Sequence, residues 1–174
     1  MATLNVLDRL QPVLLDRLTD LEPGSRTERD DSRVMNKAQI RDAVLRDLSW
    51  LLNAVQPIAR LAEAFPQAAD SVLNYGLPAM SGQMASRIDV TLLERTIKQA
   101  ILRFEPRVLE DSLEVKAVEG SGVLDTHNVI EFEIRGFMWA QPVPLELLLR
   151  TQVDLEAGQI EVRDLSSGTP KRRA

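Results

Sequence analysis

Ile97-Lys98-Gln99-Ala100-Ile101-Leu102-Arg103-Phe104-Glu105-Pro106-Arg107-Val108 carries a helical pattern into a proline and an extended pattern out of it. Leu93, Ile97, Ala100, Ile101 and Phe104 recur at helical spacing, so the segment before the proline reads as an amphipathic helix. Pro106 has no N–H with which to continue that helix, and it pushes Glu105 out of the α region. Beyond it the period drops to two. Leu109, Leu113, Val115 and Ala117 face one way, while Glu110, Ser112, Glu114 and Lys116 face the other. Gly120-Ser121-Gly122 reads as a turn, and Ile130, Phe132 and Ile134 then alternate with Glu131, Glu133 and Arg135 in a strand running to Trp139. Gln141-Pro142-Val143-Pro144 breaks that strand. After a short turn-containing segment, 150–154 and 159–163 read as two more strands joined by Leu155-Glu156-Ala157-Gly158. Helices followed by strands predict an α+β domain, with two main helices packed on a small antiparallel sheet formed by the C-terminal half. One face of that sheet is expected to be wet.

Upstream, Asn36-x-x-Gln39 has the form of a capping box and opens the first main helix. Its apolar stripe is Ile40, Val44, Leu48, Leu51, Leu52 and Val55, and Pro57 closes it. Arg41, Asp42, Arg46, Asp47 and Asn53 lie mostly off the stripe and read as a solvated face. Trp50 falls at the stripe edge, a core or boundary position. Residues 58–65 suggest one or two helical turns before Pro66. Val72-Leu73-Asn74-Tyr75-Gly76-Leu77-Pro78-Ala79-Met80-Ser81-Gly82 is an ordered loop that Tyr75 and Leu77 plug into the core. It has no phosphate-loop ending. The second main helix starts near Asp89 or Thr91, and Thr91-x-x-Glu94 forms a second capping-box pattern there.

Residues 1–35 read as an arm with a charged linker, 36–165 as the domain and 166–174 as a polar tail. In the arm Leu7-Asp8-Arg9-Leu10 recurs as Leu15-Asp16-Arg17-Leu18. Each unit is too short to be a stable isolated helix. The pair is either a peptide that folds on a partner, exposing leucines at helical spacing, or a chance recurrence.

Composition narrows the function classes. Apolar residues make up 44% of the 174 and aromatics only 4%, so the core is largely aliphatic. A formal charge of −5 argues against nucleic-acid binding, which needs a cationic face. The absence of cysteine excludes a disulfide framework and a thiolate metal site. The N-terminus has neither a basic region nor a long apolar run, so neither a signal peptide nor membrane insertion is read, and a cytoplasmic location is expected.

Catalytic chemistry finds little purchase. His127, the one histidine, lies between Thr126 and Asn128 in a turn, and Ser121 and Asp125 beside it carry no nucleophile-elbow pattern. No cofactor is expected. Glycoside hydrolysis would need two carboxyl groups flanking a cleft, one of them desolvated. Glu105 is the acidic residue at a structurally special corner, but Arg107 beside it favours the ionised form, the wrong state for a general acid. The pair either clamps the helix–strand corner or meets a partner.

Several stretches together resemble one family. Leu14-Leu15-Asp16-Arg17-Leu18-Thr19-Asp20 is similar to the N-terminal signature of the TssE family, small baseplate components of bacterial type VI secretion systems. Ser32-Arg33-Val34 and Leu45-Arg46-Asp47-Leu48-Ser49-Trp50-Leu51-Leu52-Asn53 resemble its first-helix motif. Val72-Leu73-Asn74-Tyr75-Gly76-Leu77-Pro78 resembles its central loop, with Ala79 standing where the family has aspartate. Phe104-Glu105-Pro106-Arg107 contains its most characteristic tripeptide, Glu-Pro-Arg. The resemblance implies a structural protein related to phage baseplate wedges, joining wedge subunits and sheath subunits and helping sheath polymerisation start. It implies partner contacts by Leu14, Leu15, Arg17 and Leu18 of the arm, and a docking or structural role for Glu105, Pro106 and Arg107. The lysozyme-like label attached to the family implies the competing reading, a muramidase.

Overall fold

The structure, a computed structural model, describes residues 12–19, 23–24, 35–57, 64–80, 88–118, 129–140 and 143–165. Its helices are α1 (Leu14–Leu18), α2 (Lys37–Asn53), α3 (Pro66–Ala69) and α4 (Val90–Phe104), and its strands are β1 (Glu114–Ala117), β2 (Val129–Met138), β3 (Leu145–Asp154) and β4 (Gln159–Asp164). The strands form one antiparallel sheet in the order β1-β2-β3-β4. Helices α2 and α4 pack on each other and on one face of it, α2 beside β4 and α4 beside β1. This is the α+β arrangement that the change of period predicts.

Helix α2 starts where its capping box says it should. Gln39 N–H donates to Asn36 Oδ1 at 2.9 Å, and Asn36 N–H donates to Gln39 Oε1 at 2.9 Å. Ile40, Ala43, Val44, Leu48, Leu51 and Leu52 are its buried residues. Val55 is not among them, because the helix ends at Asn53 rather than running to Pro57. The chain peels away to bond with the central loop. Gln56 N–H donates to Leu77 O at 2.9 Å, and Leu77 N–H to Ala54 O at 2.8 Å. Gly76 permits this crossing. Its φ is 115°, and a Cβ there would lie 2.3 Å from Ala54 O. Only glycine tolerates both that torsion and that approach. Leu77 is fully buried and Tyr75 packs against the core, as the loop reading expects.

The second capping box does not form. Helix α4 begins at Val90, capped by Asp89, whose Oδ1 accepts from Leu92 N–H at 3.1 Å. That leaves Glu94 free to reach β1, where it accepts from Ala117 N–H at 2.6 Å. Leu93, Ile97, Ala100 and Ile101 are buried on α4, and Phe104 is half-buried.

Strand β3 is twice as long as the alternation suggests. Leu145-Glu146-Leu147-Leu148-Leu149 hides the period, because Leu148 lies on the open face and is covered there only in part. The register sets Ile134 opposite Val115 on one side and Leu149 on the other, and Phe132 opposite Ala117 and Thr151. Burying a large apolar side chain contributes roughly 1.5–3 kcal/mol. Phe132, Leu48, Ile97, Ile101 and Leu149, all fully buried, therefore outweigh any single cap. The β3–β4 turn is held by Asp154 Oδ1, which accepts from the N–H groups of Glu156 and Ala157, and by Gly158 at φ 68°. The expected turns at 58–63 and at Gly120-Ser121-Gly122, the repeat at 7–10 and the tail at 166–174 lie outside the described residues.

Candidate functional site

Glu105 ends α4, donating its N–H to Ile101 O at 2.8 Å. Its own carbonyl accepts from Val108 N–H at 3.1 Å, closing a four-residue turn with Pro106 at the second position, where a fixed φ suits the geometry. The turn folds Arg107 back over Glu105. Arg107 Nε donates to Glu105 Oε1 at 2.6 Å, and Nη2 donates to Oε2 at 2.5 Å. The backbone N–H of Arg107 adds a third bond, to Oε1 at 3.1 Å. The Glu105 side chain is 4% exposed and that of Arg107 20%. Both charges face inward, and exposed Pro106 covers the corner.

Arg107 also reaches α2, donating from Nη2 to Asp47 Oδ2 at 2.5 Å. The other oxygen of Asp47 accepts from Arg46 Nε at 2.9 Å and Nη2 at 2.8 Å. Arg46 in turn donates from Nη1 to Asp16 Oδ1 of α1 at 2.5 Å and lies over the Trp50 ring, 5.1 Å from its centroid. A continuous chain of charges thus runs from Asp16 through Arg46, Asp47 and Arg107 to Glu105. Burial would lower the Arg107 pKa, but the bonds and charge of Glu105, then those of Asp47, hold it above the ordinary arginine value. Arg46 is raised by its bond to Asp16 against some loss from burial, with Asp47 adding to the rise. Tyr75 completes the corner, its hydroxyl 3.4 Å from Asp47 O and its ring edge-on to Phe104 at 5.2 Å.

The sequence singled out Glu105, Pro106 and Arg107 but placed Asp47 and Arg46 on a solvated face. That face carries contacts instead. Arg41 meets Asp164 and the Glu146 carbonyl, and Asn53 bonds the β4 backbone. The adjacent, opposite charges of Arg46 and Asp47 in the middle of a motif were the available signal. Of the arm residues, Leu14, Leu15, Arg17 and Leu18 are all exposed on α1, while Asp16 between them is turned inward. Trp50 stands at the surface over Arg46.

Both oxygens of Glu105 accept from Arg107, and the buried side chain faces no groove that pairs it with a second carboxylate among the described residues. A groove of ≈ 580 Å³ along β4 is lined by Asn53, Gln152, Asp154 and Glu161 among others, but Asp154 holds its turn and Glu161 is paired with Arg163. His127, Ser121 and Asp125 lie outside the described residues. Among the described residues no cluster of three or more His, Asp or Glu could hold a metal, and no helix is long and apolar enough to cross a membrane.

Among curated proteins and among solved structures, none matches the chain. A family model described as baseplate wedge protein gp25 matches residues 38–143, more than half of the chain. The matched span holds α2 with Asp47, the Gly76 crossing, α4 and the Glu105–Arg107 corner, so the chain belongs to the gp25 family of baseplate wedge proteins.

Proposed function

We propose that this chain is the TssE-like subunit of a bacterial type VI secretion baseplate. In this reading it is a cytoplasmic structural protein, without enzymatic activity, that links wedge subunits to the contractile sheath and helps start sheath polymerisation. The observation that carries the reading is the match to the wedge family across the corner, a family to which TssE also belongs. The ordered run of TssE-like motifs from Leu14 to Arg107 supports the finer assignment. Residues 36–165 would be the wedge domain, 1–35 the arm that engages a neighbour through Leu14, Leu15, Arg17 and Leu18, and 166–174 a tail. Sheath contact by strand addition would use an edge of the sheet, β1 or β4. At each edge the incoming strand displaces one helix side chain, Glu94 or Asn53.

The test is genetic. Cells lacking the chain should assemble no sheath, and the full chain should restore it. A chain lacking residues 1–20 should fold but bind wedge subunits more weakly. Normal sheaths in the absence of the chain overturn the proposal. So does release of reducing sugar from peptidoglycan by the purified protein, if one carboxylate substitution abolishes it.

A further inference from the structure

The open face of the sheet is mostly a lattice of paired polar groups. Lys116 meets Glu114, Glu133 meets Arg135 and Arg150, Gln152 meets Glu131, and Arg163 meets Glu161. One end of that face breaks the pattern. Phe137 and Trp139 are 47% and 55% exposed, in a chain with only four Phe and two Trp. They flank buried Met138, so alternation puts them on the same side. Leu109 belongs to the same end of the open face, not to the side of Leu113 and Val115 as alternation predicts, because a helical turn at Glu110–Ser112 breaks the period. Leu148 joins it there, and both are half-buried.

This apolar end is rigidly held. Phe137 N–H donates to Ser112 Oγ at 2.9 Å, and its carbonyl accepts from Leu109 N–H at 2.8 Å. Trp139 N–H donates to Arg107 O at 2.7 Å. The inward clamp of Glu105 and Arg107 therefore positions the very backbone that presents the two rings outward. The rim is acidic. Glu146 is the register partner of Phe137, and exposed Glu110 and Asp111 precede the serine that anchors it. Arg135, two residues before Phe137, is already paired with Glu133.

We infer that Phe137 and Trp139 form a docking surface for a wedge-subunit segment that sets aliphatic side chains beside arginine or lysine. The inference rests on the wedge reading above and names the surface that reading lacks. Exposed aromatic rings on a preorganised backbone suit the centre of an interface, because little freedom is lost on binding. The acidic rim selects cationic neighbours, and a guanidinium can also lie on the ring faces.

The full chain carrying Trp50→Phe leaves Trp139 as the sole tryptophan. Titrated with the purified wedge subcomplex that lacks this subunit, its emission should shift to the blue. Phe137→Ser should weaken binding roughly tenfold or more. Glu146→Lys should weaken it too and reduce its dependence on salt. The Glu146 side chain is exposed, so that variant keeps the test valid if Phe137→Ser does not fold. If the parent binds and both folded variants bind equally well, the surface is wrong while the wedge reading stands. If the parent does not bind the subcomplex at all, both fail. Self-association of the parent that Phe137→Ser abolishes would make the occupant a second copy and overturn the inference.

Discussion

At the scale of single residues, Arg107 is the position at which most of the charge in the corner is balanced. It compensates two carboxylates, one of them deeply buried. Removing one partner of such a pair costs more than never having had the pair, because the remaining charge stays out of water. Arg107→Ala is expected to lower stability by about 3 kcal/mol, the low end for buried pairs because Arg107 keeps some access to solvent. Replacing both charges, with Glu105→Leu and Arg107→Met, should cost less than Arg107→Ala alone, since Arg46 still serves Asp47. Urea unfolding of the three proteins decides this. A double variant that loses as much stability as Arg107→Ala, or more, would mean that the two side chains are not coupled.

At the scale of elements, the helices do more than cover the sheet. Each closes one of its edges with a side chain. The Asn53 amide imitates a strand, donating to Ile160 O at 2.8 Å and accepting from Ile160 N–H at 2.9 Å. Glu94 takes the N–H of Ala117 on the opposite edge. Open edges invite pairing with other chains, and side-chain plugs suppress it until a suitable strand competes. Asn53→Ala should cost about 1–2 kcal/mol and speed exchange of the Ile160 amide, read by hydrogen exchange. Unchanged protection at Ile160 would rule out the plug. The reading of Glu94 as half of a capping box failed for the same reason that it matters here. Asp89 starts the helix earlier, and the carboxylate is released for a long-range contact.

At the scale of the whole molecule, Tyr75 sits where the central loop, α2 and α4 meet. Burial raises its pKa above the ordinary value of about 10, and the charges of Asp47 and Glu105 raise it further. A group that holds its proton more tightly in the folded state stabilises fully below its unfolded pKa and loses that contribution as pH climbs through the folded one. Stability should therefore fall as pH rises above 10, with part of the slope absent in Tyr75→Phe. The chain has one tyrosine, so tyrosinate absorbance can be followed alongside unfolding. Identical alkaline slopes for the two proteins would remove Tyr75 from this role.

The sequence by itself determined the order of elements, the Asn36–Gln39 cap, the two buried stripes and the break at Pro106. Each of these depends on neighbours a few residues apart, where periodicity and capping act. Only the tertiary structure decided which way the charges face. Asp47 and Arg107 lie 60 residues apart, and Asn53 and Ile160 lie 107 apart, so no local pattern pairs them. The solvated-face reading of α2 failed because a charged stripe looks the same whether water or a distant partner satisfies it. Alternation already puts Phe137 and Trp139 on the side of Glu131, Glu133 and Arg135, the face expected to be wet. Only the tertiary structure shows that nothing described packs over that end, because covering a ring takes elements distant in sequence.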